Sequence, residues 1–272
     1  MAQVLAKGTA WERSLQDYAF TRALSSAGWA WEFLRRNTDY QRDVRMNRAG
    51  DPTAISHVSG STLYRLRRRF VAAERWGLSF FCDPFKSALE VSPFWLSELI
   101  TNVAYCEAIG ANDNDDDEDD ELHSMASFNG RRTVLTGCNG EIFSVTHGSR
   151  NASLVVTRGS LAVGANLLRF HHKGLRTAFR HAETLKVLTQ LAIENANTDP
   201  VLASGDSKYR DYLIALDGHI AGRSYRDIAE VIYGTGRVGA TWTDDTQGLK
   251  SRVRRAVDRG LALMNGGYRQ LF

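Results

Sequence analysis

Three arginines near the end of the chain, Arg252, Arg255 and Arg259, recur at three- and four-residue spacing. On a helix of 3.6 residues per turn they fall within about 60° of one another. Guanidinium is permanently charged and presents a planar fork of donors, which suits phosphate oxygens and the O6/N7 edge of guanine in a major groove. Such a row is a candidate DNA-reading surface, each good bidentate base contact being worth about 1–3 kcal/mol of discrimination. Gln247 and Ser251, nearer the start of the same helix, are candidates for further base contacts. Lys250 and Arg254, on the other flank, are candidates for phosphate. The alternative for all of them is a merely solvated face of an amphipathic helix.

A basic stripe can meet a partner only if the rest of its helix is anchored. In TQGLKSRVRRAVDRGLALMNGGYRQL (246–271), Leu249, Val253, Ala256, Val257 and Met264 share one face. Asp244 and Asp245 suit the positive end of the helix dipole, and Thr243 can cap it. Upstream, SKYRDYLIALDGHIAG (207–222) predicts a helix through Tyr209, Leu213, Leu216 and Ile220, closed by Gly222. Ser224 then caps RSYRDIAEVIYG, with Asp227 completing a capping-box arrangement. Ile228, Ala229 and Ile232 face inward, the small Ala229 suits a close crossing of two helices, and Trp242 can lid the core. The unit reads as a helix-turn-helix. The passage from Gly234 to Ala240 is longer than a tight turn, which makes it a variant.

Charge agrees with a polyanionic partner. The formal net charge is +3, but residues 111–121, ANDNDDDEDDE, carry −8 and the rest of the chain +11. Catalysis finds no support: G-x-S-x-G, a P-loop, G-x-G-x-x-G between strand and helix, and H-E-x-x-H are all missing, so no enzyme and no cofactor is expected. His171, His172 and His181 invite a metal, but adjacent helical histidines point about 100° apart and no cysteine or carboxylate stands at ligand spacing. No metal site is expected. Cys82, Cys106 and Cys138 are dispersed, without C-x-x-C, which favours a reducing cytosol. The first residues lack the apolar core of a signal peptide, and no run of about 18 apolar residues occurs, so the expectation is a cytoplasmic, nucleoid-associated protein with no membrane partner.

The remaining chain divides at the acidic run. Residues 1–110 read as an aromatic-rich helical domain, with Gly28 breaking two helices and Trp29, Trp31, Phe33 and Tyr40 on the second. These rings form either a core stripe or a partner-docking patch. SGSTLYRLRRRFVAAERWG (59–77) reads as a further helix stopped by Gly77, its Arg65, Arg67, Arg68 and Arg69 solvated or internally paired. LSFFCDPFKSALEVSPFWLSELI (78–100) suggests an extended strand or two. Residues 111–121 are expected to be a disordered linker. Residues 122–205 hold a small β element of three or four antiparallel strands and a connecting helix through Leu175, Phe179, Leu185 and Leu188, and 206–272 the helix-turn-helix. The expected fold class is mainly α with a small antiparallel β element and a C-terminal helix-turn-helix variant.

ALDGHIAGRSYRDIAEVIYG (215–234) and LKSRVRRAVDRGLALMNGGYRQLF (249–272) resemble the C-terminal helix-turn-helix variant domain of proteobacterial regulators that control excision and conjugative transfer of integrative elements. WAWEFLRRNTDYQRDV (29–44) resembles the N-terminal domain joined to it in FseA-type activators. The resemblance implies a sequence-specific transcriptional activator acting on double-stranded DNA, with RNA polymerase as a further partner. In some such systems a small antiactivator made of the C-terminal-type domain binds the activator. A protein-interaction module using the same helix-turn-helix surface is the rival reading, and a homo-oligomer fits either.

Overall fold

The computed structural model describes residues 14–47, 52–111, 121–137, 140–172, 174–193, 206–242 and 246–272. A 3-10 helix, Leu15–Ala23, leads into α1 (Ser26–Leu34) and α2 (Thr38–Asn47). Then come β1 (Ala54–Ser56), β2 (Thr62–Arg65), α3 (Val71–Glu74), β3 (Val103–Gly110), β4 (Leu122–His123), β5 (Arg131–Gly137), β6 (Gly140–His147), β7 (Arg150–Arg158) and β8 (Asn166–Phe170). Five helices follow: α4 (Leu175–Ile193), α5 (Asp206–Ile220), α6 (Tyr225–Tyr233), α7 (Thr235–Thr241) and α8 (Thr246–Met264), with a final 3-10 turn at Gly267–Leu271.

The strands form one eight-stranded sheet in the order β1-β2-β5-β6-β7-β3-β8-β4. Its centre is the antiparallel meander β5-β6-β7, and each end of the meander is extended by a parallel strand from earlier in the chain. β2 pairs β5 (Leu63 with Val134), and β3 pairs β7 (Ala104 with Leu154). The mainly α expectation with a small antiparallel element is therefore overturned by a large mixed sheet. The helix read over 59–77 accounts for part of the error. Thr62–Arg65 is extended because ladder bonds to β5 outweigh its local helical period, and only Val71–Glu74 coils before Gly77, at φ +79°, ends it. Residues 103–110 and 122–123 flank the acidic run in sequence, and both strands neighbour β8. The linker reading of 111–121 falls almost wholly on 112–120, outside the described residues.

Alternation along each strand decides what covers the sheet. Phe143 and Val145 of β6 and Ala104, Cys106 and Ala108 of β3 join Leu188 and Leu191 of α4 in one core. The buried positions of α4 are His181, Thr184, Leu188 and Leu191, whereas Leu175 and Phe179, expected on the inner face, point to solvent. The His172 and His181 rings meet edge to face at 6.1 Å, and no group of three metal-ligating side chains occurs among the described residues. Leu135 and Ile142 belong to the second core, which gathers the N-terminal aromatic residues and the C-terminal helices together.

In that core the α1 break lies earlier than expected: Ser25 caps the helix by accepting the Gly28 N–H at 3.2 Å, so Gly28 sits inside it. Glycine fits there because an added Cβ would lie 3.3 Å from Leu24 and 3.5 Å from Ala88.

Candidate nucleic-acid interface

The C-terminal unit is built as its sequence demands. Ser224 accepts the Asp227 N–H at 3.2 Å and Asp227 accepts the Ser224 N–H at 3.1 Å, a capping box worth about 1 kcal/mol. Ile228, Ala229 and Ile232 are buried against Leu213 and Leu216 of α5 and Val253, Ala256 and Val257 of α8. The passage read as an over-long turn is the short helix α7, with Val238 fully buried as its anchor. Gly234, at φ +88°, makes the corner between α6 and α7 that L side chains adopt rarely. A close helix crossing occurs at a residue not singled out from sequence. A Cβ on Gly260 would stand 2.7 Å from the Tyr212 carbonyl oxygen and 2.9 Å from the Leu216 Cβ, so α8 rests on the backbone of α5.

This packing turns the apolar face of α8 inward and leaves Lys250, Arg252, Arg254, Arg255 and Arg259 exposed, with Ser251 half-buried. Gln247 belongs to α8, but its side chain lies outside the described residues, as do Thr243, Asp244 and Asp245. Arg255 donates through Nε to the Ser251 carbonyl at 3.3 Å, which holds it along the helix. Arg226 with Glu230, Arg210 with Asp211 and Arg69 with Glu74 are ion pairs. Arg252, Arg254, Arg255 and Arg259 have no carboxylate partner among the described residues. Asp258, four residues after Arg254 and three after Arg255, is exposed on the same helix but forms no ion pair with either among the described residues.

Two further residues join the stripe. Arg237 of α7 stacks over the Tyr233 ring with its guanidinium 5.8 Å from the centroid. Burial, helped by Asp211, pushes the Tyr233 hydroxyl above its usual range against the opposing pull of Arg252, Arg237 and Arg255. Of these arginines, Arg237 is the one that contacts the Tyr233 ring, and Arg252 and Arg255 act on its hydroxyl through their charge. From sequence, Arg237 was hidden in a Gly-rich passage. Arg65, at the end of β2, and Arg67, Arg68 and Arg69, on the bend between β2 and α3, lie elsewhere and are exposed.

The aromatic residues proposed as a partner-docking patch are not on the surface. Trp29, Trp31, Phe33 and Tyr40 are all buried, and their neighbours belong to this same chain. Trp29 meets Tyr209 of α5 at 5.8 Å, Trp31 meets Tyr40 edge to face at 5.7 Å, and the Tyr40 hydroxyl donates to the Cys82 carbonyl at 2.9 Å. Their burial releases more free energy than an exposed patch would retain, which is why they fill the core.

Around them runs a buried charge network that ties α1 to α5. Arg36 donates from Nε to Asp217 Oδ1 at 2.5 Å and from Nη2 to Oδ2 at 2.9 Å, while its Nη1 reaches Glu32 at 2.7 Å. The Tyr18 hydroxyl donates to Asp217 at 2.9 Å, and Glu32 accepts the Ala88 N–H at 2.8 Å and Arg35 Nε at 2.7 Å. Burial raises the Glu32 pKa, but Arg36, Arg35 and the Ala88 N–H outweigh it and hold the carboxyl below its usual range. The C-terminal turn closes the same seam: Tyr268 donates to the Trp76 carbonyl at 2.9 Å, and Asn37 donates to Asn265 at 3.1 Å.

Comparison with known families follows this division. Residues 169–272, from the last strand through α8, match the family described as "T6SS, Transcription factor, DNA binding domain", the RovC-type domain. Residues 10–81, which hold α1, α2 and α3, match a proteobacterial transcriptional regulator-like domain. No curated protein sequence matches the chain. With a DNA-binding domain whose Arg252, Arg255 and Arg259 have no carboxylate partner among the described residues and a regulator-like domain joined to it through Arg36 and Asp217, the chain is a DNA-binding transcription regulator.

Proposed function

We propose that the chain is a sequence-specific, non-catalytic transcriptional activator, and that α8 enters the major groove with Arg252, Arg255 and Arg259 toward the DNA. The observation that carries this reading is the exposed row of Arg252, Arg255 and Arg259, with no carboxylate partner among the described residues, on a helix whose opposite face is fixed to α5 through Gly260. Arg259 lies seven positions after Arg252, about 10 Å along the axis, enough to meet both a base edge and the flanking phosphate. Arg237, held against Tyr233, is positioned for a further phosphate. The regulator-like domain supports regulation rather than mere packaging of DNA.

The proposed targets are genes for excision and conjugative transfer of a mobile element. Support comes from the likeness of 29–44, 215–234 and 249–272 to activators of that kind. Chromatin immunoprecipitation of the tagged protein, read together with transcript levels after its deletion, tests both parts. Discrete promoters of excision and transfer genes whose transcripts fall on deletion are expected. Occupancy at type VI secretion promoters instead would overturn the target class, and transcripts that rise on deletion would overturn activation.

A further inference from the structure

Between the N-terminal helical unit and the face of the sheet turned away from α4 lies a cavity of about 210 Å³. Leu24, Phe94 and Trp95 give it an apolar wall, and Ser144, Thr146 and Ser153 of β6 and β7 a hydroxyl-bearing one. Among the described residues, Arg131 of β5 is the only charged one that lines it. Its Nη1 donates to the Leu89 carbonyl at 2.6 Å and its Nη2 to the Ala88 carbonyl at 2.8 Å, which pins the guanidinium to the cavity edge. The Nε–H is buried and has no acceptor, and no carboxylate pairs with Arg131 among the described residues. Burial draws its pKa down, with only Tyr64 opposing. The Trp95 indole N–H is likewise buried with no acceptor. Ser153 donates to Ser144 at 3.2 Å, which leaves the Ser144 hydroxyl hydrogen for another acceptor.

A half-buried guanidinium with no carboxylate partner among the described residues, its Nε–H buried without an acceptor, costs desolvation that an apolar side chain filling the same space would avoid. The charge and the donors all ask for an anionic acceptor, while the opposite wall asks for an apolar body. We propose that this cavity binds a small organic carboxylate, with its head on Arg131 and the sheet hydroxyls and its body against Leu24, Phe94 and Trp95. The volume is below the roughly 300–1,000 Å³ of drug-sized sites, so the ligand is a compact aromatic or branched-chain acid. It sits at the seam between α1 and the sheet, one helix turn from the Trp29 contact with α5, and its occupancy strengthens the docking of the regulator-like unit.

Isothermal titration of the full-length protein with benzoate, phenylacetate and isovalerate, each beside its amide, tests this. Saturable binding of at least one acid below about 10 mM is expected, weakened at least about tenfold for its amide and for Arg131→Gln. Because Arg131→Gln also removes the bonds to residues 88 and 89, Ser144→Leu, which fills the cavity from the sheet side, is the second variant and should abolish binding with unchanged circular dichroism. The proposal is overturned if none of the three acids binds saturably, if the amides bind as well as the acids, or if binding survives in a folded Ser144→Leu protein.

Discussion

Replacing Asp217 with alanine removes the carboxylate that receives two bonds from Arg36 and one from Tyr18, across the seam between α5 and the N-terminal unit. Arg36 and Asp217 side chains are 9% and 14% exposed, so solvent cannot replace the lost partner. Breaking a buried pair by deleting one member costs about 3–5 kcal/mol, and the retained Glu32 contact of Arg36 places this case near the lower end, about 3 kcal/mol. That is a large share of the ~5–15 kcal/mol that holds a typical domain together. Urea unfolding of wild type, Asp217→Ala, Arg36→Met and the double variant measures it. The single variants should each lose about 3 kcal/mol, with a coupling of about 2 kcal/mol between them. A cost for Asp217→Ala under about 0.5 kcal/mol, or strict additivity in the cycle, would refute the network as the link between the two units.

Two further perturbations separate packing from local preference. Gly260→Ala pushes a Cβ into the Tyr212 carbonyl oxygen at 2.7 Å, so overpacking of about 1–3 kcal/mol should outweigh the ~1 kcal/mol helix-propensity gain. Gly239→Ala, in exposed α7 with nothing within 4 Å, should stabilise by roughly 0.5–1 kcal/mol, and thermal melts of the pair will show opposite signs. The Glu32 carboxyl is held below its ordinary 4.5, so its contribution is complete above that value and is lost as pH falls through the depressed folded pKa. Glu32→Gln should therefore cost stability at neutral pH and converge on wild type in acid; a gap that persists unchanged at low pH would contradict this sign.

The C-terminal unit was legible because its signals are local. The Ser224/Asp227 box, the Ile228–Ala229–Ile232 inward set and the apolar face of α8 are each written within a few residues. The strand run 131–170 was legible for the same reason, its turns marked by glycine. What escaped depends on partners far away in sequence. Thr62–Arg65 is a strand held between β1, its antiparallel neighbour, and β5, some 70 residues later, whose parallel ladder leaves no trace in local periodicity. The same holds for Arg36 and Asp217, separated by 181 residues. The aromatic helix posed a different problem: its composition favours a core stripe over a docking surface without naming the partner, and the contact of Trp29 with Tyr209 of α5 supplies it. Arg237 escaped because two glycines disguised α7 as a loop.

Fluorescence anisotropy of the full-length protein on a promoter fragment recovered by immunoprecipitation, across a salt series, reaches the α8 stripe most directly. The Arg252→Ala/Arg255→Ala/Arg259→Ala variant should keep the helical circular dichroism of wild type while its affinity falls at least about 100-fold. The slope of log K against log salt should drop by about 2–3, one unit for each lost contact. A folded variant that binds with unchanged affinity and an unchanged slope would contradict the assignment of α8 to DNA.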